Sequence, residues 1–286
     1  MARRKMKILV LDGYPADHRV ELAAHRGTLA GELYAARLIE CEPDCETHVM
    51  YPADENCELP IGQALSGYDG IVWTGSSLTI HDDQDPRVVR QIRFAQAAFE
   101  AKVPMFGSCW AAQMAVTAAG GYCALNPNGR EFGIARKIEL TPAGRGHPMY
   151  AGKTNVFDGF TSHQDEITHV PSGATILAAN AFTSIQAVDV TYKGGSFWAV
   201  QYHPEYDLHE VASLCRWRKQ GLTEQGNFAS IKEAEGFIGK WQALHEDPKR
   251  SDLRWQLGID DDVLNTDIRY LELRNWLAAK VYPRLN

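Results

Sequence analysis

The sequence has no apolar stretch near the roughly 20 residues needed to cross a bilayer. It has no excess of positive charge either. Lys and Arg number 29 against 36 Asp and Glu, a formal net charge of -7, and no basic stripe interrupts the mixture. Such a surface does not suit nucleic acid. The short "RRK" near the N-terminus precedes only "MKILVL", a poor signal peptide. These absences lead to the expectation of a cytoplasmic protein that binds neither nucleic acid nor membrane. Cysteine is sparse: Cys41, Cys45, Cys57, Cys109, Cys123 and Cys215 are too few in 286 residues for a disulfide scaffold. Cys41, Cys45, His48 and Cys57 lack the tight paired spacing of structural zinc sites, so free thiols are expected and no metal. No internal repeat and no low-complexity segment is present, and no Gly-x-x-x-x-Gly-Lys loop or other nucleotide-binding signature appears. No cofactor is expected.

What is present is an alternation. "MKILVLDG" is a continuous apolar run, the mark of a strand buried on both faces of a parallel sheet. The spacing of Leu22, Leu29, Leu33 and Leu38 predicts a helix over about 19–39. "THVMYP", "YDGIVWTG" and "VPMFG" read as further strands. A helix is expected after Asp85-Pro86, where proline suits the first turn, and another in "WAAQMAVTAA", stopped by Gly120-Gly121. The fold class is therefore α/β: a flavodoxin-like parallel central sheet flanked by helices. From 122 to about 206, short β-rich runs separated by Gly, Pro and Asn predict added hairpins. Helical patterning returns from about 207. "DVLNTDIRYLELRNWLAAKV" places Leu264, Ile268 and Leu271 at i, i+4 and i+7. Two regions follow, a domain over 1–220 and a helical C-terminal extension over 221–286. Trp241, Trp255 and Trp276 on its apolar stripes imply packing on the core or a contact with a second copy, a homo-oligomer.

The stretch "FGSCWAAQ" sets Cys109 between a strand and a helix. Alone, a cysteine in an apolar context is a small core residue more often than a catalyst. A sharp strand-to-helix turn changes that, because it pushes the apex residue out of the sheet and requires small residues two before and two after. Gly107 and Ala111 occupy those positions. The start of the following helix aims N–H groups and partial positive charge at the sulfur, which favours thiolate. The N–H of Trp110 would be one oxyanion donor. A second motif, "VQYHPEY", brings His203 to take the thiol proton and Glu205 to hold the other ring nitrogen, with Pro204 stiffening the turn.

Together "FGSCWAAQ" and "VQYHPEY" resemble the elbow and His-Pro-Glu motifs of the class I glutamine amidotransferases. "GREFGIARKIELT", "FTSHQDEITHVPSGATILAAN" and "YDGIVWTGSS" resemble intervening segments of the GMP synthetase-type domain, in family order over about 5–206. The resemblance implies a class I glutamine amidotransferase-like domain over 1–220. It makes Cys109 the nucleophile, His203 the general base and then acid, and Glu205 the orienting carboxylate. It makes Gly75 or Ser76 the second oxyanion donor beside Trp110, and Gln113 a substrate-holding residue. Ser162, His163, Gln164 and Asp165 fall where the family binds the substrate's α-amino and α-carboxyl ends; a turn before a strand is the plain alternative. The implied chemistry is hydrolysis of the γ-amide of glutamine, or of a related γ-glutamyl amide, through a γ-glutamyl thioester.

Three departures leave the substrate open. Ala111 replaces the second elbow glycine, "TGSSLTIHDD" replaces a Gly-Gly-Pro loop, and "GYPADHRVELAAHRG" has no counterpart in the resemblance. In that last stretch Tyr14, Arg19, His25 and Arg26 either reach the open end of the sheet or form a solvated helix face. Two enzyme readings stand: a free-standing hydrolase of γ-glutamyl amides, or a glutaminase subunit feeding ammonia to a separate synthetase chain. A third is a non-catalytic binding or regulatory protein of the same fold, against which the intact Cys, His and Glu set weighs.

Overall fold

Lys7–Leu11, buried at four of its five positions, forms β1. The computed structural model describes residues 4–285. After β1 come α1 (Ala16–Ala24), α2 (Ala30–Cys41), β2 (Glu46–Met50), β3 (Gly70–Trp73), α3 (Pro86–Glu100), β4 (Met105–Ser108) and α4 (Trp110–Ala118). The middle of the chain supplies β5 (Tyr122–Leu125), β6 (Glu131–Leu140), α5 (Pro142–Arg145), β7 (Val156–His163), β8 (Asp165–His169), β9 (Ala174–Ala179), β10 (Ala187–Tyr192) and β11 (Gly195–Val200). The rest is helical: α6 (Leu208–Glu224), α7 (Ile231–Glu246), α8 (Ser251–Leu257), α9 (Asp261–Leu264), α10 (Thr266–Arg269) and α11 (Leu271–Trp276).

One nine-stranded sheet runs β2-β1-β3-β4-β11-β10-β9-β6-β7, and β5 pairs with β8 separately. The first five strands are parallel. Their order is that of a flavodoxin-like sheet with β11 as its fifth strand. The hairpin strands expected beside the sheet continue it as an antiparallel wing. Fully buried β3 and β4 explain the unbroken apolar runs at the centre. The carboxyl ends of β1, β3, β4 and β11 deliver Gly13, Gly75, Cys109 and His203 to one edge, where such sheets bind ligands.

Local chemistry sets the helix ends. Asp85 accepts a bond from the Arg87 N–H at 2.8 Å and Pro86 sits in the first turn, so α3 begins where the sequence places it. The single helix expected over 19–39 is two helices instead. Arg26 adopts a left-handed φ of 70° and Gly27 lies so tightly on Leu22 that a Cβ would strike it. The chain therefore turns between α1 and α2. The tail also breaks into short pieces. Asn265 leaves helical geometry and its side chain caps Asp267 at 2.9 Å, a local bond that competes with helix continuation. Leu264, Ile268 and Leu271 are only half-buried, whereas Val263, Tyr270, Leu273 and Trp276 are buried.

α6 runs through Gly221 without a break, so residues 220 and 221 lie inside one helix. Trp276 packs 5.8 Å from Phe106 of β4, and Trp241 packs 5.9 Å from Phe160 of β7. Trp255, in contrast, is 85% exposed. A buried ion pair joins Lys153 to Glu272 at 2.8 Å, and Glu272 also accepts from Tyr202 at 2.5 Å. Tyr202 is the residue before His203.

Candidate active site

Cys109 sits at the N-cap of α4 with φ 55° and ψ -103°. A non-glycine residue there stores strain, which the surrounding sheet and helix impose. The small neighbours expected from the sequence have a steric cause. A Cβ at Gly107 would run into the Trp73 carbonyl and the Ala111 methyl. The Cys109 N–H is held by Val200 O at 2.7 Å, so β11 braces the turn. The thiol is buried and faces the Ser162 carbonyl at 3.8 Å.

His203 is buried, with its N–H on Phe160 O at 2.7 Å. Its Nδ1 lies 2.7 Å from Glu205 Oε1. Ser108, the residue before the cysteine, donates to the same oxygen at 2.8 Å. Tyr206 stacks on the ring at 3.9 Å and 3°. Nε2 has no hydrogen-bond partner among the described residues. Burial pulls the His203 pKa down, but the Glu205 carboxylate and the neighbouring Cys109 outweigh it and hold the ring at about 9.

A Cβ on Gly75 would sit 3.1 Å from His203 Cε1 and 3.8 Å from Cys109 Cβ, so the β3 loop lies directly against this pair. Ser76 donates to Gly13 O at 2.8 Å and lines the cleft. Trp110, first residue of α4, has an N–H that no intrahelical acceptor can reach. Its indole instead bonds Gln91, fixing the helix start on α3.

The cleft at Cys109 measures about 380 Å³. It includes all of the substrate-contact candidates, but they differ in what they offer. Gln113 donates to the Asp165 carbonyl at 3.3 Å and to Gln201 at 3.5 Å. Ser162 accepts from Arg218 at 3.3 Å, and Gln164 from Arg130 at 2.9 Å. Asp165 is near His81, 3.6 Å away. Both nitrogens of His163 are engaged, with Asp165 O and Glu131, each at 2.9 Å. That ring pins the segment and leaves no free nitrogen for a substrate.

The unfamiliar stretch after β1 divides. Tyr14 is buried beside Trp217, and burial pushes its hydroxyl pKa up. Arg19 pairs with Asp54 at 2.6 Å, while the backbone carbonyls of His25 and Arg26 accept bonds from α6, so these three support α1 rather than the cleft. Sequence reasoning missed Arg130, Arg218, His18, Ser77 and Trp217, all of which line the cleft. "WRKQG" reads as an ordinary solvated helix face, and only the position of α6 over the sheet edge turns Trp217 and Arg218 inward. His48 bonds Tyr68 and Glu46.

The description "Glutamine amidotransferase class-I" matches residues 33–214. The chain belongs to the class I glutamine amidotransferase family. A gamma-glutamyl-L-1-hydroxyisopropylamide hydrolase of a Pseudomonas species is 34% identical over 287 residues, covering 98% of this chain and 94% of that protein. A GMP synthase [glutamine-hydrolyzing] of Pseudomonas aeruginosa is 31% identical over 65% of this chain. The chain spans only 34% of that synthase. Among solved structures, a glutamine amidotransferase of Thermotoga maritima shares the fold with a TM-score of 0.61 at 16% identity, covering 99% of this chain and 98% of that one. A glutamine amidotransferase of Methylobacillus flagellatus does so with a TM-score of 0.60 at 18% identity, covering 98% and 94%. As a member of this family the chain is a γ-amide amidohydrolase of the cysteine-dependent class.

Proposed function

We propose that the chain acts alone, hydrolysing γ-glutamyl amides of small organic amines at Cys109, His203 and Glu205. The observation that supports this is that a strained thiol at a helix N-terminus and a buried imidazole, one nitrogen free and the other held by a carboxylate, both lie against Gly75.

In this reading His203 takes the Cys109 proton and the thiolate sulfur attacks the γ-carbonyl carbon. The N–H groups of Trp110 and of Gly75 or Ser76 stabilise the resulting oxyanion. His203 passes its proton to the amide nitrogen, the C–N bond breaks, and the free amine leaves a γ-glutamyl thioester. Water, deprotonated by His203, attacks that thioester. The thiol is restored and glutamate is released. Gln113 and the 162–165 segment position the acyl group. His18, Ser77 and Trp217 wall the cleft from α1, the β3 loop and α6. His18 Nδ1 lies 2.5 Å from Ser77 Oγ, and the imidazole packs 5.7 Å from the indole. Such a wall combines hydrogen-bonding groups with an apolar face and suits a small amine bearing a polar substituent.

The near full-length similarity to a γ-glutamyl amide hydrolase supports the free-standing reading. The similarity to one third of a GMP synthase supports the ammonia-supplying subunit as the runner-up. We divide the chain into a class I glutamine amidotransferase-like domain over 1–220 and a helical extension over 221–286; the family match ending at 214 favours this. Release of amine from a panel of γ-glutamyl amides, glutamine included, tests the proposal. Turnover of a substituted amide by the isolated chain is expected to exceed turnover of glutamine. Hydrolysis of glutamine alone, stimulated by an added synthetase, would reverse the choice.

A further inference from the structure

In "YAARLIEC" Arg37 reads as a solvent-facing member of α2, with Glu40 three residues on as a surface partner. That pair is present, at 2.7 Å, but it uses only Nη1. The rest of the guanidinium grips the His-Pro-Glu turn. Nε donates to the backbone carbonyl of Glu205 at 3.1 Å, and Nη2 lies 3.3 Å from Asp207 Oδ2. The Tyr270 ring of the C-terminal extension backs the group, its centroid 5.8 Å away. Asp207 also caps α6, accepting from the Glu210 N–H at 3.1 Å. One partly buried arginine thus ties α2 and the start of α6 to the exit of the turn that carries His203 and Glu205.

That exit needs an outside hold. The entry is fixed by the His203 N–H on Phe160 O at 2.7 Å. The turn's own closing bond, from the Tyr206 N–H to the His203 carbonyl, is long at 3.4 Å. Pro204 has no N–H to add another. A planar guanidinium aims several donors in fixed directions, so Arg37 holds the carbonyl of 205 and the carboxylate of 207 at one separation. With that backbone fixed, the Glu205 side chain is delivered to Nδ1 of His203, 2.7 Å away. The titratable groups acting on the ring are Glu205 on its own turn, Cys109 at the start of α4 and Tyr206 stacked upon it. Arg37 acts on the ring through Glu205. Loss of its positive charge alone would raise the His203 pKa, whereas loosening the carboxylate lowers it, so the two effects carry opposite signs.

Resting on the reading of Cys109, His203 and Glu205 as the reacting set, we propose that Arg37 is a positioning residue: by gripping Glu205 and Asp207 together it sets the Glu205 carboxylate on the imidazole. Helix α2 bears none of the three reacting groups, yet it fixes the geometry of two of them. The extension contributes through the ring of Tyr270 behind the guanidinium.

The test is the pH dependence of amide hydrolysis in the wild type, Arg37→Met, Arg37→Lys and Glu205→Gln. In Arg37→Met, kcat at neutral pH is expected to fall about 100-fold with KM little changed, the size expected of a small misplacement of a reacting group. The alkaline limb should move to lower pH. Arg37→Lys should recover part of both, as a point charge without the fork. Adding Arg37→Met to Glu205→Gln should move the limb no further, because the effect runs through that carboxylate. A limb that stays in place, or moves to higher pH, overturns the proposal even where the rate falls, since a structural fault or a bare charge effect would do the same. NMR titration of the full chain with labelled histidine, His203 being assigned from His203→Gln, separates this from the hydrolase reading. Where Arg37→Met does not fold, Arg37→Lys carries the comparison. A His203 titration that moves to lower pH in the variant supports the positioning role even if no amide is hydrolysed. One that does not move overturns it.

Discussion

Nδ1 of His203 lies 2.7 Å from Oε1 of Glu205, and Ser108 Oγ donates to that same oxygen at 2.8 Å. The acceptor is thus shared between the residue before Cys109 and the His203 ring. One carboxylate ties β4 to the turn after β11. Tyr206, stacked at 3.9 Å, fixes the plane of the imidazole. The ring has little freedom except to exchange a proton at Nε2.

This arrangement sets a pH dependence. The folded pKa of His203 is raised to about 9 from an ordinary 6.5. The associated stability is therefore fully present below about 6.5 and is lost as pH rises through about 9. With His203 as the proposed acid, the imidazolium needed to protonate the leaving amine would disappear over the same upper range, so the rate should decline on an alkaline limb near pH 9. Glu205→Gln removes the charge that outweighs burial. The limb should move to lower pH, with the rate at neutral pH falling on the order of 100-fold or more. Rate profiles from pH 6 to 10 for the two proteins check this; an unmoved limb contradicts it.

Gly107→Ala should destabilise the protein through the elbow. The new methyl meets the Trp73 carbonyl and the Ala111 Cβ, and overpacking of this kind costs about 1–3 kcal/mol or more. Adding Ala111→Gly should recover only part of the loss, because the Trp73 carbonyl belongs to the sheet backbone. Denaturant midpoints of the single and double variants measure both effects.

The C-terminal extension should prove necessary to the core. Glu272 is fully buried between Lys153 and Tyr202, and breaking a buried pair by removing one partner costs about 3–5 kcal/mol. Glu272→Ala should lose about that much. Replacing both partners, as Lys153→Met with Glu272→Leu, should be milder, since no uncompensated charge remains. Equilibrium unfolding distinguishes the cases. Equal losses in the single and double variants would contradict the assignment.

Much of this architecture was legible in the residues. The runs "MKILVLDG", "YDGIVWTG" and "VPMFG" gave away the buried parallel strands, and Asp85-Pro86 and Gly120-Gly121 marked helix ends. The contact between His203 and Glu205 and the need for small residues around Cys109 were also open to inference, because the His-Pro-Glu turn and the elbow each carry their own steric signature. What escaped depended on tertiary placement. α1 and α2 separate because Gly27 packs on Leu22, a contact no periodicity encodes. The tail breaks at Asn265 because a side-chain bond there competes with the helix. Arg130 and Arg218 look like surface charges until the β6 loop and α6 bring them to one cleft.

The central claim is that the acyl group passes through the sulfur of Cys109. Rapid acid quench during turnover of a γ-glutamyl amide, followed by peptide mass analysis, tests this most directly. The prediction is a γ-glutamyl thioester on the peptide containing Cys109, absent from a folded Cys109→Ala protein whose amide hydrolysis is reduced on the order of 10⁴-fold or more. A Cys109→Ala protein that hydrolyses the amide at the wild-type rate, or an adduct on another residue, would contradict the account.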